Sequence, residues 1–225
     1  MSMRNVYTQV DFAFPVPTPA MENPTPPSPT SPRIFLDLEG VLMNFTSLAA
    51  LSLDNLQFPL HESGLVQTPH PVYTYTTKEI LYDICNGVNF YSQLEKYAWA
   101  DLLYQELYMA TGGNVFFIVR NNRFDRGTWS GKADWIWRWF GESGYNRTIM
   151  VSEGLDSETN AFVNNWRETD ILIDDTLDPA IMNWCKRGGI GYHWKEIDPR
   201  ASARVVSGLV SERIVEIKQL VADLK

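Results

Sequence analysis

Two short apolar runs that end in acid constrain this chain more than any other feature. Residues 33–37 read RIFLD and residues 170–175 read DILIDD. Neither alternates apolar with polar positions, as a strand with one wet face would. A continuously apolar strand is covered on both sides, the condition of a parallel sheet packed between helices. Residues 114–119 (NVFFIV), 148–151 (TIMV) and 189–193 (GIGYH) predict three further strands, and residues 73–75 look extended. Helices are predicted over 132–140, 157–167, 179–186 and 201–224. Another is predicted over 78–110, in two pieces broken near Gly87 and stopped by Gly112 and Gly113. Strands alternating with helices predict an α/β fold, a Rossmann-like doubly wound parallel sheet.

In such sheets ligands bind beyond the carboxyl ends of the strands. Asp37 and Glu39 follow one such end, with Gly40 allowing a tight turn, and Asp174 and Asp175 mark another. Four converging carboxylates repel unless a cation or shared protons intervene, and a hard, oxygen-preferring ion such as Mg²⁺ meets that need. One carboxylate can then attack a phosphorus atom while a neighbouring acid protonates the leaving oxygen. The plainer alternative is that these acids are solvated strand ends and helix caps.

A chain of 225 residues with 44% hydrophobic and 20% charged content buries one core, with room for a small insert. Its net charge of -8 disfavours duplex nucleic acid, whose binding depends on Lys and Arg, and leaves small anionic substrates open. With only Cys85 and Cys185, reduced and buried thiols are expected. No run approaches the roughly 20 apolar residues of a membrane span, and no basic-then-apolar leader is present. A soluble, cytoplasmic protein is therefore expected. Eight of the 13 prolines lie in residues 1–32, and residues 23–32 read NPTPPSPTSP. This segment predicts an extended arm preceding the domain of residues 33–225. Its Val6, Tyr7, Val10, Phe12 and Phe14 would serve to dock it on a protein partner or a second subunit.

Residues 35–45 (FLDLEGVLMNF) resemble the first motif of the haloacid-dehalogenase-like (HAD) phosphohydrolases, and residues 170–194 (DILIDDTLDPAIMNWCKRGGIGYHW) resemble their fourth. LIDD followed by Asn-Trp and Gly-Gly-Ile-Gly is similar to the 5'(3')-deoxyribonucleotidase branch and its phage-encoded relatives. So is the segment 131–144 (GKADWIWRWFGESG). The resemblance implies a Mg²⁺-dependent phosphohydrolase acting on a nucleoside monophosphate or similar small phosphoester. Asp37 would be the nucleophile, and position 39 the general acid/base and, through its carbonyl, a metal ligand. Asp174 and Asp175 would complete the metal site. A small cap insertion over about 43–110 would shape substrate choice. A phage-encoded relative would work in the host cytoplasm or the virion.

Three positions depart from that pattern. Glu39 stands where those phosphatases have Asp, and one methylene moves the carboxyl by more than about an ångström. The strand NVFFIV ends in Arg120-Asn121-Asn122 rather than Ser or Thr. Asn121 can donate to a phosphoryl oxygen, while Arg120 either neutralises phosphate or pairs with the acid cluster. Residues 151–170 contain no lysine, leaving Arg120, Arg147 or Lys132 to supply the charge. The alternative to an enzyme is therefore a degenerate HAD-like binding or structural subunit working through its arm. Elsewhere, Trp135 and Trp139 share a core-facing side of their helix and Trp137 points away. The stripe from Val206 to Leu224 is expected to pack on its own domain, and His193 to end a strand; His61, His70 and His193 are not spaced as metal ligands.

Overall fold

The computed structural model describes residues 31–45, 87–121, 126–152, 167–195, 197 and 201–225. Residues 1–30 of the arm, Cys85, His61, His70, residues 73–75, most of the expected cap and nearly all of the helix expected at 157–167 lie outside these. Among the described residues, five strands form one parallel sheet: β1 (Ile34–Leu36), β2 (Val115–Asn121), β3 (Thr148–Ser152), β4 (Ile171–Asp174) and β5 (Ile190–His193). Their spatial order is β3-β2-β1-β4-β5. From β1 the chain steps towards β2 and β3, and from β4 it steps the other way to β5. The crevice between the carboxyl ends of β1 and β4 is thus the topological switch point, where open α/β sheets bind ligands.

The central strands bury apolar side chains on both faces of the sheet. Ile34, Leu36, Val115, Phe117, Val119, Ile171 and Ile173 point to one core, and Phe35, Ile118 and Leu172 to the other. Burying each such side chain contributes about 1.5–3 kcal/mol, and together they fix the register. Ile34 lies between Val115 and Ile171, and Leu36 between Phe117 and Ile173. The first face is covered by α2 (Ala100–Thr111), α3 (Arg126–Tyr145) and α5 (Ala203–Asp223). Ile181 and Trp184 cover the second. Along α5, Val206, Val210, Ile214, Ile217 and Val221 are buried against the domain's own core, as the stripe predicts, while Leu209 stays 37% exposed. Trp135 is fully buried, Trp139 packs at the core's margin and Trp137 faces solvent.

Several boundaries differ from the sequence expectation. Gly87, with φ 88°, breaks the helical path where expected, just before α1 (Val88–Gln93), and a second break follows at residues 94–99. The chain leaves the helix there because the turn after β1 captures its backbone. Tyr97 N–H donates to Leu42 O at 2.8 Å and Asn44 N–H to Glu95 O at 2.9 Å. The helix expected at 179–186 opens as a π-helical turn (Leu177–Ile181) before α4 (Met182–Lys186). Helix α3 is longer than expected and kinks at Gly141, whose φ of 65° breaks the helical path. Cys185 is exposed rather than buried: it sits at the margin of the short α4, with its Sγ beside Gly191 of β5, while Trp184 fills the core.

At the amino ends of β1 and β4, Arg33 closes on Asp170. Its Nε donates to Oδ1 at 2.7 Å and its Nη2 to Oδ2 at 2.5 Å. Arg167 N–H adds a third bond at 3.0 Å. The Asp170 carboxylate is completely buried. Among the described residues, no helix is long and apolar enough to cross a membrane.

Candidate active site

The strand register assembles the site. One step beyond the Leu36–Ile173 pair places Asp37 beside Asp174, and Asp37 N–H donates to Ile173 O at 2.9 Å. Adjacent strands lie about 4.8 Å apart, and alternation turns both carboxylates to the same side of the sheet. Arg120, in phase with Ile118 on β2, turns to that side as well. Asp175 follows directly. Asp37, Asp174 and Asp175 each offer a carboxylate oxygen within 4.8 Å of the others, and the first two are buried.

Neighbouring groups fix these acids. Thr176 N–H donates to Asp174 Oδ1 at 2.7 Å, and its hydroxyl donates to Asp175 Oδ1 at 3.1 Å. His193 ends β5, with its Nε2 3.0 Å from the carbonyl oxygen of Asp175. A carbonyl only accepts, so the contact assigns the proton to Nε2. Gly40, at φ 77°, lets the loop after β1 press against Asp175: a Cβ there would lie 2.2 Å from Asp175 Oδ2. The variant Gly40→Ala is expected to displace Asp175 and force a left-handed backbone on a residue that resists it. Stability falls by about 1–2 kcal/mol, and divalent-cation affinity falls about 10-fold or more. Denaturant titration and calorimetry measure the two; an unchanged cation affinity would show that Asp175 is not a ligand.

Burial is the main reason that the Asp37 carboxyl is held well above its usual range. The charges of Asp174 and Glu39 push the same way, Arg120 opposes them, and Asp175 adds a smaller push. Three clustered carboxylates, one of them protonated more readily than usual, form a donor set suited to a hard divalent cation. Among the described residues, the acids Asp37, Glu39, Asp174 and Asp175 face two side-chain cations, Arg120 and Lys132. One divalent ion would bring the six groups to neutrality.

Glu39 is not one of the three clustered carboxylates; it forms an ion pair with Lys132. Lys132 is 2% exposed, donates to the Arg120 carbonyl at 2.8 Å and lies 4.9 Å from the Tyr91 ring centroid. It reaches this position because Gly131 lets α3 press onto α1. A Cβ at Gly131 would sit 2.6 Å from Val88 O and 2.8 Å from Tyr91 Cβ. Lys132 therefore ties the loop after β1 to the end of β2. Arg120 Nη2 donates to Asp174 Oδ2 at 2.6 Å, so of the two roles left open by the sequence, the structure displays pairing with the acids. Asn121 ends β2 opposite Ser152; its side chain is outside the described set. Arg147 lies at the amino end of β3, over the Tyr108 ring, away from the cluster. Thr176 and His193 join the site with no sequence signal to mark them, because neither spacing nor periodicity ties them to Asp175.

No model of a protein family matches the chain, and no curated protein matches it. Solved structures do. A haloacid-dehalogenase-like family hydrolase from Xanthomonas campestris superposes with a TM-score of 0.45 at 11% identity, covering 83% of this chain and 99% of its own. YfnB of Bacillus subtilis, assigned as a HAD-hydrolase and bound to magnesium, gives 0.46 at 10% identity over 80% and 98%. A phosphonoacetaldehyde hydrolase-like protein from Oleispira antarctica gives 0.49 at 13% identity over 88% and 94%. At these identities the likeness concerns the fold.

Proposed function

We propose that this chain is a divalent-cation-dependent phosphohydrolase of the HAD type, acting on a nucleoside monophosphate or a similar small phosphoester. The observation that carries the reading is the close group of Asp37, Asp174 and Asp175, the first two buried, at the switch point of the sheet. The nucleotide preference rests on the sequence resemblance of residues 131–144 and 170–194. A Mg²⁺ ion held by the three aspartates would offset the charge between carboxylate and phosphoryl group.

The residues divide the work as follows. An Asp37 oxygen attacks phosphorus, forming an O–P bond as the bond to the leaving oxygen breaks, and Glu39 hands that oxygen a proton taken from its ion-pair partner, the Lys132 ammonium. Water then attacks the aspartyl phosphate, Glu39 takes the water's proton, and the Asp37–phosphorus bond breaks to release phosphate. Lys132 orients Glu39 through their ion pair and anchors the Arg120 backbone. Asn121 and Arg120, at the end of β2, are the proposed phosphoryl contacts. Purified protein is expected to release phosphate from at least one nucleoside monophosphate with Mg²⁺ and to stop when EDTA is added. No release across a panel of ribo- and deoxyribonucleoside monophosphates would refute the reading.

The Arg120–Asp174 pair supports a second reading, in which a degenerate HAD-like domain serves as a binding or structural subunit, with Arg120 closing the site. Its signature is an assembly that is lost when residues 1–32 are deleted and kept when Asp37 is replaced by Asn.

A further inference from the structure

Arg120 meets Asp174 at a carboxylate that a bound cation would also claim. Its Nη2 donates to Oδ2 at 2.6 Å, while Oδ1 accepts from Thr176 N–H at 2.7 Å. A divalent ion lodged among Asp37, Asp174 and Asp175 would stand close to the guanidinium, and like charges repel steeply at such range. The Arg120 backbone cannot yield. It is paired in register with Val151, and its carbonyl is held by the buried Lys132 ammonium at 2.8 Å. Its side chain is 25% exposed, whereas the Asp174 carboxylate it grips is fully buried. The movable part of the pair is therefore the guanidinium.

We infer that Arg120 is a displaceable counter-ion, resting on Asp174 in the cation-free site and transferring to the phosphoryl oxygens of the ligand once a divalent ion binds. The inference rests on the phosphoester reading above. A guanidinium suits both stations, since its planar fork matches carboxylate and phosphate alike, whereas a lysine would offer only a point charge. The exchange makes cation and phosphate binding mutually dependent. A cation releases Arg120 for phosphate, and phosphate holds Arg120 away from the cation's ligand; by linkage the two effects are equal in size.

Calorimetry on the full chain tests this with Mg²⁺ alone, inorganic phosphate alone, and each in the presence of the other. In the wild type, each is expected to tighten the other by about 5- to 100-fold. In Arg120→Met, Mg²⁺ alone is expected to bind about 10-fold tighter than to the wild type. Phosphate in the presence of Mg²⁺ should bind at least about 10-fold more weakly, with the coupling reduced to the part that direct Mg²⁺–phosphate attraction supplies. Weaker Mg²⁺ binding by Arg120→Met, or coupling equal to that of the wild type, would overturn the inference. A measurement on the unaltered protein covers the case of a misfolded variant. The Arg120 Nε–H resonance is expected to move during a Mg²⁺ titration and again on adding phosphate, and a stationary resonance would refute the exchange. Phosphate release assayed on the same samples separates the two ideas. Coupling that weakens in Arg120→Met, without turnover, refutes the hydrolase and upholds Arg120, whereas turnover with coupling unchanged in Arg120→Met does the reverse.

Discussion

Replacing Asp37 by Asn is expected to abolish phosphate release, lowering kcat/KM by about 10⁴-fold or more, while making the cation-free protein more stable at neutral pH. The first effect follows from removing the nucleophile: an amide of the same shape occupies the position but cannot form the aspartyl phosphate. The second follows from the surroundings of Asp37. Burial, reinforced by Asp174 and Glu39 and only partly opposed by Arg120, holds its carboxyl above the ordinary range. A carboxyl whose folded pKa is raised favours the folded state in its protonated form. Its stabilising contribution is complete below the unfolded value, about 3.9, and is lost as the pH rises through the folded value. Above that window ionised Asp37 weakens the fold, and Asn removes the penalty. Denaturation in EDTA at pH 7.5 should give a higher midpoint for Asp37→Asn than for the wild type. The gap should close towards pH 4 and reverse when Mg²⁺ is added to both proteins. A variant less stable than the wild type in EDTA at pH 7.5 would show that Asp37 is solvated rather than confined.

Asp170→Ala should be the most damaging substitution for folding, costing about 3–5 kcal/mol out of a total of about 5–15 kcal/mol for a domain. The Asp170 carboxylate is completely buried and accepts two bonds from Arg33 and one from the Arg167 backbone. Removing it takes the bidentate carboxylate from the Arg33 guanidinium at the amino ends of β1 and β4, where these strands enter the core. The site lies at the other end of β4, four residues on, at about 3.3 Å per residue. The fraction of molecules still folded should therefore keep wild-type kcat and cation affinity. Urea denaturation gives the stability change. A stable variant with impaired turnover would move Asp170 from the scaffold to the chemistry.

The contrast between these two aspartates shows what local sequence can reveal. Asp37 was legible because it ends an apolar run and is followed by Glu39 and Gly40. That pattern needs no knowledge of neighbours: strand polarity alone sends the residue to the carboxyl edge. Asp170 begins an apolar run, and its partner Arg33 lies 137 positions earlier, so nothing local marks the pair. Lys132 shows the same limit in milder form. The sequence suggested it as a source of charge, but its ion pair with Glu39 depends on the close approach of α3 to α1 at Gly131.

By itself, then, the sequence determined the five apolar strands described, their alternation with helices and the placing of Asp37, Asp174 and Asp175 at strand ends. Hydrophobic period and turn residues are short-range properties that any window of chain displays. Only the tertiary structure decided that β4 lies against β1, which sets Asp37 level with Asp174. It also decided that Arg120 rests on Asp174 and that Lys132 holds Glu39. Those facts depend on which strands become neighbours and how closely helices pack, and both are settled by burying the two sheet faces together, beyond the reach of any local pattern.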